Sequence, residues 1–412
     1  MNKLLEEFKP FNSSFELNIF LYILLSLLTI HISNSYFLES VKKVPMKSER
    51  FNLFVSAIFQ SFFISTPSFI LLPFLSTPYV QYIPRLNGFF VLIASGFSVS
   101  ALALYLNNRL SIETSVLNNM IGLFAMAACS SILQLFDFKY KLFVHLLFAI
   151  ATIIVLVFQF KSSFISINEP NASRITSLYP KNFMTILLFP FELILENVLI
   201  VSTPKVKKYS GNIHFKMIAS PLFFEFLAFK YFEIPLTILT CFVSLLIASL
   251  VSSLLWLNYL KNQKFIDCYG FLTTCLVLGF IFGSIFEISK NLAIILKVPM
   301  KIASLMMVGP IASIPSIFVQ SHFIKTGFQQ RTLFSIFYFL STNLIVSNIV
   351  HTLFVENKEF CNDLKSTYGG IIALMGLMIF DIIKNHKKFT EKCSYFGVFC
   401  IVQECVIMLL IQ

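Results

Sequence analysis

Apolar runs long enough to cross a bilayer alternate with short polar links along nearly the whole chain of 412 residues. A run of about 20 apolar residues spans the hydrocarbon core as one helix. The pattern predicts helices over 17–38, 51–75, 86–107, 114–135 and 141–160, and then a polar stretch, 161–181. Next comes 182–200, in which Glu192 and Glu196 stand one turn apart; two acids on one face predict an interfacial or broken helix rather than a lipid-exposed span. Segments 215–233 and 236–257, hinged near Pro235, predict a helical hairpin. A second block of five follows: 268–296, 302–325, 331–354, 366–385 and 394–411. The expected fold is an all-α polytopic membrane protein with a block at 1–160, a linker region at 161–265 and a second block at 266–412.

Two equal blocks call for a search for repeats. KVPMK occurs at Lys43–Lys47 and again at Lys297–Lys301, each time between the first and second helix of a block. The second helix of each block carries Ser-x-Pro-Ser, with Ser65, Pro67 and Ser68 in one copy and Ser313, Pro315 and Ser316 in the other. Together these matches predict a duplicated transporter. Repeats with an odd number of spans are inverted in the membrane and place their site near the midplane. Proline inside a helix frees a carbonyl one turn earlier, and serine hydroxyls add oxygens at the same depth. The alternative is that each proline only kinks its helix and each serine packs against a neighbour.

Composition narrows the class. Apolar residues make up 57% of the chain and charged residues 12%, more apolar surface than a soluble protein of this length can bury. The net charge of +11 resides in the links, where Lys and Arg set orientation, so it does not point to nucleic acid. Lys42, Lys43, Lys47 and Arg50 mark the first interhelical link as cytoplasmic; Lys290, Lys297 and Lys301 crowd the equivalent link of the second block, which inversion would put on the other side. Eight cysteines show neither CxxC nor zinc-type spacing, and six histidines are scattered, so neither a prosthetic group nor an enzyme is expected.

The residues resemble a family: the cation/calcium exchanger branch of the sodium/calcium exchanger superfamily, which includes the mitochondrial-type exchangers. That family carries acidic motifs of the form GNGAPD and GNSIGD in the second helix of each repeat, where this chain reads Phe63–Ser68 and Ile311–Ser316. GFLTT at Gly270–Thr274 is similar to the family's opening of the preceding helix. The stretches Phe189–Val206 and Phe215–Phe224 are similar to its central segment, and Asn343 falls where it has the asparagine of GGxxFN. The resemblance implies two inverted repeats, antiport by alternating access, and monovalent or divalent cations as cargo; it leaves the membrane open and admits that of an organelle.

The departures bear on the cargo. Serine stands at both motif acids, Asn34 and Ser35 replace the acidic pair of the first helix, and Tyr338 and Phe339 replace paired glycines. Calcium takes six to eight oxygens, usually with carboxylates among them, so Ser65, Ser68, Ser313, Ser316 and Asn343 predict a monovalent site better than a calcium site. Glu39 and Glu287 each lie 29 residues before the motif serine of their block, which makes them candidate displaced carboxylates. The bland reading puts both near helix ends, reaching for the interface. A second function follows from the same losses: a pseudo-exchanger that keeps the fold and serves as a membrane scaffold or partner.

Overall fold

The computed structural model describes residues 14–43, 83–106, 110–136, 139–162, 183–201, 213–231, 237–261, 263–298, 300–325, 329–354 and 362–410. The predicted helix 51–75, with Ser65, Pro67 and Ser68, lies outside them. The described chain is helical apart from one short antiparallel pair, β1 (Leu110–Ser111) on β2 (Lys388–Phe389). Seven of its helices are long and apolar enough to cross a membrane, and Val91–Ala103 and Met306–Ser321 form shorter apolar stretches. Leu239, Phe242 and Leu250 stand out on one of these helices as large exposed apolar side chains, which suits contact with lipid chains. The chain is a multi-pass membrane protein.

The chain divides into two compact units, one of Met1–Ser48 with Arg174–Ile281 and the other of Glu49–Ser173 with Phe282–Gln412. In the first, α1 (Phe15–Ile32) widens into a π turn at Ser33–Phe37 and continues as α2 (Leu38–Lys43). Hydroxyls draw on the carbonyls entering that turn, Thr29 on Leu25 at 2.9 Å and Ser33 on Thr29 at 2.6 Å. Later segments of this unit are α6 (Phe183–Val198), α7 (Ile213–Tyr231), α8 (Ile238–Lys261) and the start of α9 (Gln263–Leu296). α7 packs on α6 and on α8, and the α7–α8 pair is the expected hairpin. Its core gathers Ile200, Met217, Leu255 and Ile266. Gly270 is required by packing, because a β-carbon there would strike the Ile200 carbonyl.

The second unit holds α3 (Ile83–Leu106), α4 (Thr114–Leu135), α5 (Lys141–Ser162) and the rest of α9. It continues with α10 (Met300–Ala303), a π turn at Ser304–Val308, α11 (Gly309–Lys325), α12 (Gln329–Phe354), α13 (Asn362–Lys384) and α14 (Lys392–Leu410). α12 is the hub, packed on α3, α4, α5, α11 and α13, and 78% of its apolar window is buried. α3 meets α11, α13 and α14 as well, so this unit is a helix bundle around α3 and α12.

Pro315 does not break its helix. α11 runs through it from Gly309 to Lys325, and the departure from α geometry lies upstream in the π turn. A proline removes one backbone bond, and packed neighbours on both sides hold the rest of the helix. α9 ends with Lys297 at φ 54°, its N–H on the Ile294 carbonyl and the Val298 N–H on the Ala293 carbonyl. That is a left-handed cap built without glycine. The second KVPMK therefore begins as a helix stop.

Candidate functional site

α11 is apolar overall, yet one of its faces is polar and buried. Ser313, Ser316 and Gln320 are spaced by three and four residues, which stacks them on one side of a helix, and they are 1%, 0% and 0% exposed. The Ser313 hydroxyl donates back to the Pro310 carbonyl at 2.6 Å. Gln320 has no protein partner for either amide atom among the described residues. α11 packs on α3, where the buried hydroxyls of Ser95 and Ser98 also lack partners. An unpaired polar group in a low-dielectric interior costs roughly 1–3 kcal/mol. Four such atoms on two packed helices are a concentration that calls for a ligand or water.

Asn343, on neighbouring α12, is buried, and its amide nitrogen donates to the Phe339 carbonyl of its own helix at 2.8 Å. The predicted glutamates are elsewhere. Glu39 sits half-buried on α2 in the first unit. Glu287, on the part of α9 in the second unit, pairs with Lys290 at 3.9 Å. Ser316 and Asn343 thus fall on two helices that pack together, and Ser65 and Ser68 lie outside the described residues. Reading the sequence missed Gln320, whose signal was its position one turn beyond Ser316.

It also missed a network built from histidines that look scattered in the sequence. Ser130 and Gln134 on α4, His145 on α5, and Asn348, His351 and Thr352 on α12 form one hydrogen-bonded cluster. Gln134 Oε1 accepts from His145 Nε2 at 3.1 Å, and Gln134 Nε2 donates to His351 Nδ1 at 2.7 Å. A carbonyl oxygen cannot donate, so His145 carries a proton on Nε2, and its Nδ1 shares a hydrogen bond with the Ser130 hydroxyl, 3.0 Å away. Asn348 Nδ2 in turn donates to Ser130 Oγ at 2.8 Å. The cluster pins three helices together.

Two buried acids complete the second unit. Asp381 accepts from Thr390 at 2.6 Å and from the Asn385 amide at 2.9 Å, which ties down the α13–α14 turn. Glu404, 2% exposed on α14, accepts the Thr367 hydroxyl at 2.5 Å. In the first unit a cavity of about 400 Å³ lies between α7 and α8, lined by Met217, Ile218, Ser252, Ser253, Trp256 and Leu257. Its wall is mostly apolar and holds none of the polar groups above. Among the described residues no three His, Cys, Asp or Glu side chains converge as a metal site would need.

Compared with family models, with curated proteins and with solved structures, the chain matches none.

Proposed function

We propose that the chain is a membrane cation carrier, a divergent exchanger-like antiporter of two inverted five-helix blocks that works by alternating access at the polar face shared by α3, α11 and α12. The observation that carries this reading is a pattern in the packing of the second unit. Exchange α3 with α12, α4 with α13 and α5 with α14. The α3–α14 packing then becomes α12–α5, α3–α13 becomes α12–α4, and α4–α5 becomes α13–α14; all six contacts occur. The α3–α12 and α4–α13 packings map onto themselves. The light α12–α13 contact stands outside the rule. A pseudo-two-fold axis between two copies requires this closure.

Direction supports inversion. β1, in the α3–α4 link, pairs with β2, in the α13–α14 link, so both links share one end of the bundle. α13 separates the α13–α14 link from the α12–α13 link, which therefore lies at the other end from its α3–α4 counterpart. Gln330, at the start of α12, donates to the Ser111 carbonyl at the end where α3 finishes, so α3 and α12 run antiparallel. In addition, the first helix of each block contributes to the first unit, wholly in one case and through Ile281 in the other.

The polar face offers hydroxyls and amides in place of carboxylates. Such oxygens suit a weakly charged cation, because a divalent ion in a low dielectric with no counter-charge is costly. A second reading is favoured by one detail: Ser313 and Asn343 spend hydrogen bonds on their own backbone, as in a site that has closed into a scaffold. Flux into phosphatidylcholine vesicles under sodium, potassium, calcium and proton gradients separates the two. The carrier reading expects monovalent flux that falls in Ser316→Ala and Gln320→Leu, and no saturable micromolar calcium uptake. Absence of flux for all four ions in folded protein would favour the scaffold.

A further inference from the structure

We propose that the groove between α7 and α8 binds an anionic phospholipid, with one acyl chain in the groove and the headgroup at the basic end of the hairpin. The inference needs only that this pair of helices stands in a bilayer, and it does not rest on the carrier reading. Ser252 and Ser253 on α8 each lie one turn before a large residue, Trp256 and Leu257, so the small side chains leave a hollow and the large ones rim it. On the α7 side it is lined by buried Met217 and exposed Ile218. The hollow measures about 400 Å³, within the range of sites that hold small organic ligands. The Ser253 hydroxyl is already spent on the Ser249 carbonyl at 2.8 Å, and among the described residues no charged side chain lines the groove. The surface it offers is therefore apolar.

The groove opens toward lipid. Only 11% of the apolar window of α8 is buried, and Leu250, Leu254 and Trp256 stand exposed around the hollow, so acyl chains are what it meets. A flexible chain can follow the floor between the rims. A second helix is a poorer occupant, because it would stand on Trp256 and Leu257 before its backbone came close to the serines. Depth and charge name the headgroup. The apolar window of α8 ends at Asn258, which puts Trp256 in its last turn, at the headgroup level where indoles settle. Just past it, Lys261 ends α8 and Lys264 falls in the first turn of α9. The sequence entering α7 adds Lys205, Lys207 and Lys208, and neither 202–216 nor 258–266 contains an acid. The link between α7 and α8, at the opposite end of the hairpin, carries Glu233 and no base over 232–237. A basic excess confined to the groove's end attracts anionic headgroups.

The test uses the full chain in phosphatidylcholine vesicles to which a lipid with brominated acyl chains is added. Bromine quenches an indole only near contact, and Trp256 is the sole tryptophan, so its fluorescence reports the rim of the groove. In wild type, brominated phosphatidylglycerol is expected to half-quench Trp256 at an about fivefold lower mole fraction than brominated phosphatidylcholine. Lys261→Gln with Lys264→Gln is expected to shrink that difference. Ser252→Leu with Ser253→Leu, which fills the hollow, is expected to erase it. Trp256→Phe with Phe242→Trp moves the indole to an exposed site near the other end of α8, where no preference is expected. Equal quenching by the two lipids in wild type would overturn the proposal, whether or not the variants fold. So would the same preference in the Phe242→Trp protein, which would show a general attraction to the protein surface. So would a Trp256 that neither lipid quenches because a second copy of the chain covers it.

Discussion

Glu196 is where the surroundings of a single side chain bear on stability. Its carboxyl is raised by burial and by Glu192, against the pull of Lys216. A raised acid ionises more readily in the unfolded chain than in the folded one. Its stability contribution is therefore whole below the ordinary glutamate range and is lost as pH rises from that range to the folded value. Glu196→Gln cannot ionise and escapes this loss. The melting temperature of the variant minus that of wild type is expected to be near zero in acid and positive at neutral pH. A difference flat across that interval would show that Glu196 is not held in a desolvated site. At this scale the sequence was half legible. Ser313 and Ser316 were singled out by the Ser-x-Pro-Ser motif and Asn343 by the family resemblance, as cation ligands, and the structure places all three inside the second unit. Gln320 and the partners His145 and His351 were not singled out, because a histidine's hydrogen bonds come from other helices, 11 and 217 residues from Gln134. No local spacing records that.

Helices were the most legible level, since hydropathy alone fixes length in a bilayer. The structure adds how close two of them come. Gly96 of α3 and Gly397 of α14 touch so tightly that a β-carbon on Gly397 would strike the Gly96 carbonyl and the Ser100 hydroxyl. Ser100 bonds both the Gly96 and Ser394 carbonyls at 2.8 Å, across the seam. Small residues one turn apart are what close helix packing in lipid requires. Gly397→Ala is expected to destabilise by about 1–3 kcal/mol through overpacking, read as a lower melting temperature in detergent, whereas Gly283→Ala, facing open space on α9, is expected to be neutral. Equal effects of the two would mean that α3 and α14 are not held at this distance. The π turns at Ser33–Phe37 and Ser304–Val308 were invisible in the sequence. An extra residue in a turn changes neither hydropathy nor length enough to show in an apolar run.

For the whole molecule, the multi-pass helical class was legible, and seven helices of the described residues are long and apolar enough to span a membrane; the KVPMK and Ser-x-Pro-Ser pairs carry the proposal of two five-helix blocks. Which helix meets which was not legible, because apolar helices in lipid carry little sequence record of their partners. The packing in the second unit records which helices meet, and the proposal of an inverted repeat, which is the central claim, draws on its closed exchange. Side-specific labelling tests this most directly. In a background with all eight native cysteines replaced, one cysteine is introduced at Glu113→Cys, in the α3–α4 link, or at Asn357→Cys, in the α12–α13 link. Each protein is reconstituted in oriented vesicles and treated with a membrane-impermeant maleimide. Inverted blocks predict that the two positions label from opposite sides of the membrane; labelling of both from the same side would contradict the account.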